Sequence, residues 1–137
     1  KPAVLVVQAG ADAHYEDQLA DLMLTTRDYE AIFRRILGWA DRFTKGRVLF
    51  TLGGGYSLRA APLVWTLLYL QVHDLPVPEE LPQAWRTRWK RVLGERFRPA
   101  FHDPALPSTL VPNRAEIAHR NRQVADRLLE AARPYWF

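Results

Sequence analysis

Two short runs of aliphatic and β-branched residues constrain the fold of this chain most strongly. They are AVLVV (3–7) and RVLFTL (47–52), and an amphipathic helical pattern lies between them. Continuous apolar runs of this length are typical of parallel strands that are buried on both faces. A helix between two such strands provides the crossover that a parallel pair needs. The sequence therefore predicts an α/β fold with a mostly parallel sheet.

The helices are predicted from hydrophobic periodicity and from the residues at their ends. Between the two runs, apolar residues recur at helical spacing, with Thr26 as the predicted N-cap and Gly46 at the end of the helix. Three further helices are predicted over 57–72, over 83–93 and from about residue 113 onward.

We predict a single domain, 1–137, with two parts. A strand–helix–strand–helix unit with the loops of the candidate site occupies 1–73, and a Pro-rich connector followed by helices that pack on this unit occupies 74–137. Two apolar parallel strands form too small a sheet to be stable alone in water. We therefore expect the chain to be the C-terminal part of a larger α/β domain, with the N-terminal portion as its partner. The exposed strand edges are expected to favour self-association.

Composition excludes several functional classes. The chain has no cysteine, so disulfides, thiolate nucleophiles and cysteine-ligated zinc are excluded, and any metal must be held by oxygen and imidazole ligands. The 19 basic and 15 acidic residues give a net charge of +4, which is too small and too scattered to predict nucleic-acid or membrane partners. No apolar stretch approaches the ~20 residues that span a bilayer. No signal-peptide pattern is recognisable, and we predict a cytoplasmic protein.

The first candidate site residue, Asp12, follows the first apolar run in QAGADAH (8–14). In open parallel sheets, ligands bind beyond the carboxyl ends of the strands, which is where this aspartate falls. Spacing alone allows Asp12 and His14 to be two ligands of one metal ion, because alternate residues of an extended segment face the same way. The alternative is an aspartate that caps a turn or pairs with an arginine, beside a surface-exposed histidine.

The second candidate site is the glycine run LGGGYS (52–57) after the second strand. Glycines allow positive φ angles and a close approach of the backbone to a ligand. A dinucleotide-binding GxGxxG motif would need glycine where Leu58 stands, and no GK[ST] follows for a phosphate-binding loop. The alternative is a tight strand-to-helix turn with Tyr56 as a packing residue. Together the two loops place an acid, Asp12, and the phenol of Tyr56 on the same rim of the sheet.

The two motifs together resemble the histone deacetylase superfamily, whose members share the arginase–deacetylase fold. The matching segments are QAGADAHYEDQLADLMLTT (8–26) and VLFTLGGGYSLRAAPLVWTLL (48–68). The later LPVPEELPQAW (75–85) is more similar to the bacterial acetoin-utilization deacetylases. The resemblance implies the C-terminal portion of a three-layer αβα fold with a mostly parallel sheet. It also implies a hydrolase that removes acetyl groups from lysine side chains of proteins or from small acetylated amines.

The resemblance assigns roles to four residues. Asp12 matches one of the three ligands of the catalytic zinc ion, and Tyr56 matches the tyrosine whose hydroxyl stabilises the oxyanion. Gly54 matches the glycine whose backbone lines the acyl-lysine channel, and Leu19 matches an apolar residue at the channel mouth. His14 matches no ligand of the family.

Other parts of the family's active site have no match in this chain. These are an Asp-x-His pair of zinc ligands and two tandem histidines that act as general base and acid; His73, His102 and His119 match none of them. Gln18 stands where the family commonly has proline, a difference expected to alter the rim loop and not the chemistry. Zinc is the expected cofactor, although Fe(II) or Co(II) would suit the same ligands. The chain alone is expected to be inactive, and the alternative function is a non-catalytic interaction module that retains the fold.

Overall fold

The computed structural model describes residues 2–136, which divide into two compact units between Asp103 and Pro104. The elements, in chain order, are β1 (Leu5–Gln8), α1 (Thr26–Thr44), β2 (Val48–Thr51), α2 (Ala60–Val72), α3 (Gln83–Leu93), two short 3-10 helices (Gly94–Arg96 and Ser108–Leu110) and α4 (Arg114–Trp136). This order confirms the predicted strand–helix–strand–helix pattern and the two helices predicted after it. That residues 1–137 form one domain with two parts, 1–73 and 74–137, stays a prediction.

The sheet consists of β1 and β2, which pair in parallel as predicted. Val6 lies opposite Leu49 in the register, and these two side chains are 59% and 55% exposed. Phe50 points to the other face and packs against the core. Among the described residues the sheet therefore buries one face, and the expectation that both faces are covered is wrong for this part of the chain.

Helix α1 begins one residue away from the predicted position, because Thr25 and not Thr26 is the N-cap. The Thr25 hydroxyl accepts a hydrogen bond from the Asp28 N–H at 3.4 Å, and the Asp28 carboxylate accepts one from the Thr25 N–H at 2.8 Å. This reciprocal pair is a capping box. Thr26 is buried one residue later. The helix is followed, as predicted, by Gly46, whose φ of 77° suits a helix end.

The core of the first unit lies between α1, α2 and the inner face of the sheet. Val64 and Leu67 of α2 are completely buried, and Tyr29 and Phe33 of α1 pack in the same cluster. Each such side chain contributes about 1.5–3 kcal/mol through removal from water. Pro62 falls in the first turn of α2, where its missing N–H costs no helical hydrogen bond.

The segment after α2 closes on the same core. Residue Glu80 forms an antiparallel bridge with Ala100, and Trp85 of α3 packs against the core. Phe101 is only 2% exposed and anchors the end of this segment. The chain is thereby led to Asp103, at the N-terminus of α1. The second unit contains α4. None of the described helices combines the length and the hydrophobicity that a membrane-spanning helix needs.

Candidate active site

The loops that follow β1 and β2 meet at the carboxyl edge of the sheet. The Ala11 N–H donates a hydrogen bond to the Gly54 carbonyl at 2.7 Å, which continues the parallel pairing beyond the strands. The indole N–H of Trp65 in α2 donates to the Ala9 carbonyl at 3.0 Å and holds the first loop from behind. These bonds place Asp12 beside the glycine loop, as the order of the elements predicts.

The carboxylate of Asp12 lies directly against two glycines. A Cβ atom at Gly54 would lie 2.6 Å from Asp12 Oδ2, and one at Gly10 would lie 2.8 Å from Asp12 Oδ1. Both distances are shorter than real Cβ contacts. Gly54 also has a φ of 80°, in the region that favours glycine. The position of the Asp12 side chain therefore requires glycine at both places.

Asp12 is partly buried, yet no hydrogen bond or ion pair to its carboxylate occurs within residues 2–136. The alternative of a turn cap or an arginine partner is therefore not found there. A partly buried carboxylate without a protein partner is suited to a cation, and carboxylate oxygen is a usual zinc ligand. Among the described residues, no group of three or more His, Asp or Glu could hold a metal ion. Asp12 could thus supply one ligand of a metal site.

His14 is completely buried, and both of its ring nitrogens are engaged by protein groups. Its Nδ1 accepts a hydrogen bond from the Glu16 N–H at 3.1 Å, and its Nε2 lies 2.8 Å from Asp103 Oδ2. Because a backbone N–H can only donate, Nδ1 is the acceptor and Nε2 carries the hydrogen that it donates to Asp103. Pairing of His14 with Asp12 at one metal, as spacing alone allows, is therefore wrong. The alternative of a surface-exposed histidine is wrong as well.

Asp17 connects the two loops of the site. Its Oδ2 accepts a hydrogen bond from the Tyr56 N–H at 2.8 Å, and its Oδ1 accepts from the N–H groups of Leu19 at 2.9 Å and Ala20 at 3.3 Å. These donors, the Tyr56 N–H foremost, hold the pKa of Asp17 below its usual range. Asp17 lies in the matching motif, but the resemblance assigns no role to it.

The structure brings the four predicted site residues together in two pairs. Asp12 contacts Gly54, whereas Leu19 and Tyr56 are joined through their backbone N–H groups and Asp17. The side chains of Leu19 and Tyr56 are 69% and 53% exposed. In the described part of the chain, the Tyr56 hydroxyl has no hydrogen-bond partner and remains available to a ligand.

Asp103 is the residue of this region that sequence reasoning missed. Its buried carboxylate accepts hydrogen bonds at 2.8 Å from His14 Nε2, from the Thr26 N–H and from Arg59 Nη1. Burial disfavours the charged form, but these hydrogen bonds outweigh burial and hold the pKa of Asp103 well below its usual range. The Arg59 guanidinium is 2% exposed and also lies 3.2 Å from the Glu16 carboxylate. A local sequence motif could not predict the contacts of Asp103 with His14 and Arg59, because these residues are far apart in the sequence.

Comparison with known proteins identifies the family. A family model described as the histone deacetylase domain matches residues 1–72 of the 137 residues. The chain belongs to the histone deacetylase family. The two loops described above, with Asp12 and Tyr56, both lie inside the matched region.

The relatives of this chain include acetoin utilization proteins. The acetoin utilization protein AcuC of Bacillus subtilis (strain 168) is 31% identical over 134 residues, which are 97% of this chain and 35% of that protein. AcuC of Staphylococcus aureus (strain Mu50 / ATCC 700699) is 32% identical over 127 residues, which are 91% of this chain and 33% of that protein. These matches confirm the predicted resemblance to the acetoin-utilization type. The chain spans about a third of the length of these relatives.

A solved structure shows the same fold. The crystal structure of an HDAC homolog from Aquifex aeolicus matches with a TM-score of 0.61 at 21% sequence identity, over 82% of this chain and 32% of that chain. At this identity, the likeness shows the fold alone. It confirms that the chain has the predicted α/β fold of the arginase–deacetylase type.

Proposed function

We propose that this chain supplies part of the active site of a zinc-dependent deacetylase of the acetoin-utilization type. The reaction is hydrolysis of the amide C–N bond of an acetyl-lysine side chain on a protein or of a small acetylated amine. The observation that carries the proposal is the Asp12 carboxylate, which is partly buried, lacks a protein partner within residues 2–136 and lies against the glycine of a GGGY loop.

Asp12 would provide one oxygen ligand to zinc, and the remaining ligands would come from the rest of the whole protein. Catalytic zinc sites commonly use three protein ligands and leave one position open. Fe(II) or Co(II) would be accepted by similar ligands. Zinc at this position would supply an activated water molecule and polarise the acetyl carbonyl.

Tyr56 would donate a hydrogen bond from its hydroxyl to the oxyanion that forms as water attacks the acetyl carbonyl. The backbone of Tyr56 is held by Asp17 at 2.8 Å, while its side chain is half exposed and available to a substrate. A donor that is directed at a developing oxyanion typically lowers the barrier by roughly 3 kcal/mol.

Gly54 and Leu19 would line the path of the substrate. Gly54 has no side chain that could block the approach to Asp12. Leu19 offers an exposed apolar surface at the rim, where it could contact the aliphatic part of a lysine side chain.

Metal removal and reconstitution of the full-length protein test this proposal. A chelator should abolish hydrolysis of an acetyl-lysine peptide, and added zinc should restore it, with Fe(II) and Co(II) as comparisons. A fully zinc-loaded protein without turnover on acetyl-lysine peptides or small acetylated amines would contradict the proposal. That result would favour a non-catalytic interaction module instead.

A further inference from the structure

The carboxylate of Asp103 lies behind both loops that carry the predicted site residues. The side chain is completely buried and accepts hydrogen bonds at 2.8 Å from His14 Nε2 and from Arg59 Nη1. His14 stands two residues after Asp12, and Arg59 stands three residues after Tyr56. The Asp103 carboxylate therefore connects the loop after β1, which carries Asp12, to the loop after β2, which carries Tyr56.

The same carboxylate is fixed to the N-terminus of α1. Asp103 Oδ2 accepts from the Thr26 N–H at 2.8 Å, and the Asp103 N–H donates to the Thr26 hydroxyl at 2.9 Å. The positive end of the helix dipole favours a negative charge at this place. Because α1 is a 19-residue helix packed into the core, it gives both loops a common rigid support.

The negative charge of Asp103 is needed by its neighbours. The Arg59 guanidinium is 2% exposed, and its other carboxylate neighbour in the described part of the chain is Glu16, at 3.2 Å. A neutral residue at position 103 would leave a buried guanidinium without its nearer counter-charge, which is strongly unfavourable. The start of α2 and the loop around His14 would then have to rearrange together.

We propose that Asp103 is a positioning residue of this active site, which sets the separation of Asp12 and Tyr56 by holding His14 and Arg59. The inference rests on the proposed function for the roles of Asp12 and Tyr56. Tyr56 would act mainly on the transition state, so an error in its position relative to Asp12 should lower kcat more than it changes KM.

The test compares Asp103→Asn with a matched structural control in the metal-loaded full-length protein. Asparagine keeps the shape of the side chain and removes its charge. The control is Thr44→Val at the opposite end of α1, because Thr44 is 1% exposed and its hydroxyl donates to the Ala40 carbonyl at 2.8 Å. Asp103→Asn should lower kcat roughly 10- to 100-fold, as for other groups that orient a metal site, with KM changed less than about threefold. Thr44→Val should keep kcat within about twofold at a temperature where both variants are folded.

Hydrogen–deuterium exchange gives a readout that does not depend on turnover. The N–H groups of Glu16 and Asp17 bond to His14 and should lose protection in Asp103→Asn but not in Thr44→Val. Should Asp103→Asn fail to fold, His14→Asn is the second variant, since asparagine is too short to reach Asp103. His14→Asn should also lower kcat and the protection of the Glu16 and Asp17 N–H groups, but by less than Asp103→Asn does.

The outcomes separate the two proposals. Equal kcat values for Asp103→Asn and Thr44→Val, or unchanged protection of Glu16 and Asp17, would overturn the positioning role even if the wild-type protein is an active zinc deacetylase. A wild-type protein without zinc-dependent turnover would overturn the proposed function. The exchange pattern would in that case still decide whether Asp103 holds the two loops.

Discussion

At the scale of single residues, the glycines that face Asp12 determine where its carboxylate can lie. The close approach of Gly54 is specified by two independent features, the absence of a side chain and a positive φ. Each of them excludes other residues, so the local packing of the site requires glycine at position 54 of the GGGY motif.

Substitution Gly54→Ala should therefore damage the site. The new methyl group would lie 2.6 Å from Asp12 Oδ2, so either the carboxylate or the loop must move. We expect kcat/KM of the full-length protein to fall about 100-fold or more, because displacements near 1 Å have this effect on reacting groups.

Gly38→Ala is the matched control for this prediction. Gly38 lies inside α1, and a Cβ atom there would meet nothing within 4 Å. This variant should keep wild-type kinetics and gain about 0.5–1 kcal/mol of stability. Wild-type kcat/KM and zinc content in Gly54→Ala would show that the approach of this glycine to Asp12 is not needed for activity.

The meeting of the two loops that carry Asp12 and Tyr56 at one edge of the sheet could be predicted from the sequence, because parallel strands bring their carboxyl ends to the same edge. The environment of His14 could not, since its partner Asp103 lies 89 residues later. Two adjacent threonines, Thr25 and Thr26, stand at the start of α1, and Thr25 is the N-cap. The spacing of Thr25 and Asp28, which fits a capping box, was the signal that identifies the correct one.

At the scale of elements, Asp103 joins the N-terminus of α1 to the start of α2 and to the loop after β1. The sequence predicted these elements by periodicity but could not predict the carboxylate that connects them. Periodicity reports which face of a helix is buried, whereas this connection depends on a buried ion pair between distant segments.

This connection predicts a specific dependence of stability on pH. The pKa of Asp103 is lowered in the folded state, so the carboxylate stabilises the fold above its unfolded pKa of about 4, and this contribution is lost as the pH falls below that value. The free energy of unfolding should therefore differ less between wild type and Asp103→Asn at about pH 3 than at about pH 6. The expected decrease is about 1 kcal/mol.

Urea unfolding of the full-length protein and of its Asp103→Asn variant at the two pH values measures this difference. A difference in unfolding free energy that stays constant between the two pH values would contradict the ionised, paired state of Asp103 described here.

At the scale of the whole molecule, one face of the two-stranded sheet is exposed in the described part of the chain. The apolar runs alone could not predict this exposure. Hydrophobic strands predict burial, but which neighbour covers each face depends on chain segments outside the strands. Val6 and Leu49 pair on that face and are more than half exposed. An apolar sheet face of this kind tends to associate with other chains.

The isolated 137-residue chain is therefore expected to self-associate, to bind zinc more weakly than micromolar and to show no deacetylase turnover. Its described residues offer Asp12 as one metal ligand and hold no cluster of three. Sedimentation, zinc titration and an acetyl-lysine peptide assay check the three properties. Leu49→Lys should reduce self-association, because it places a charge on the exposed apolar face of the sheet. Micromolar zinc affinity with measurable turnover would contradict the assigned roles.

The zinc content and kinetics of two variants of the full-length protein, Asp12→Ala and Tyr56→Phe, separate the metal-ligand role from the role in oxyanion stabilisation. Tyr56→Phe should retain zinc and KM while kcat falls roughly 100-fold or more, because its hydroxyl acts on the transition state. Asp12→Ala should lose both zinc and activity, because a ligand is removed. Equal zinc loss in both variants, or full zinc retention in Asp12→Ala, would contradict the division of roles between the two loops.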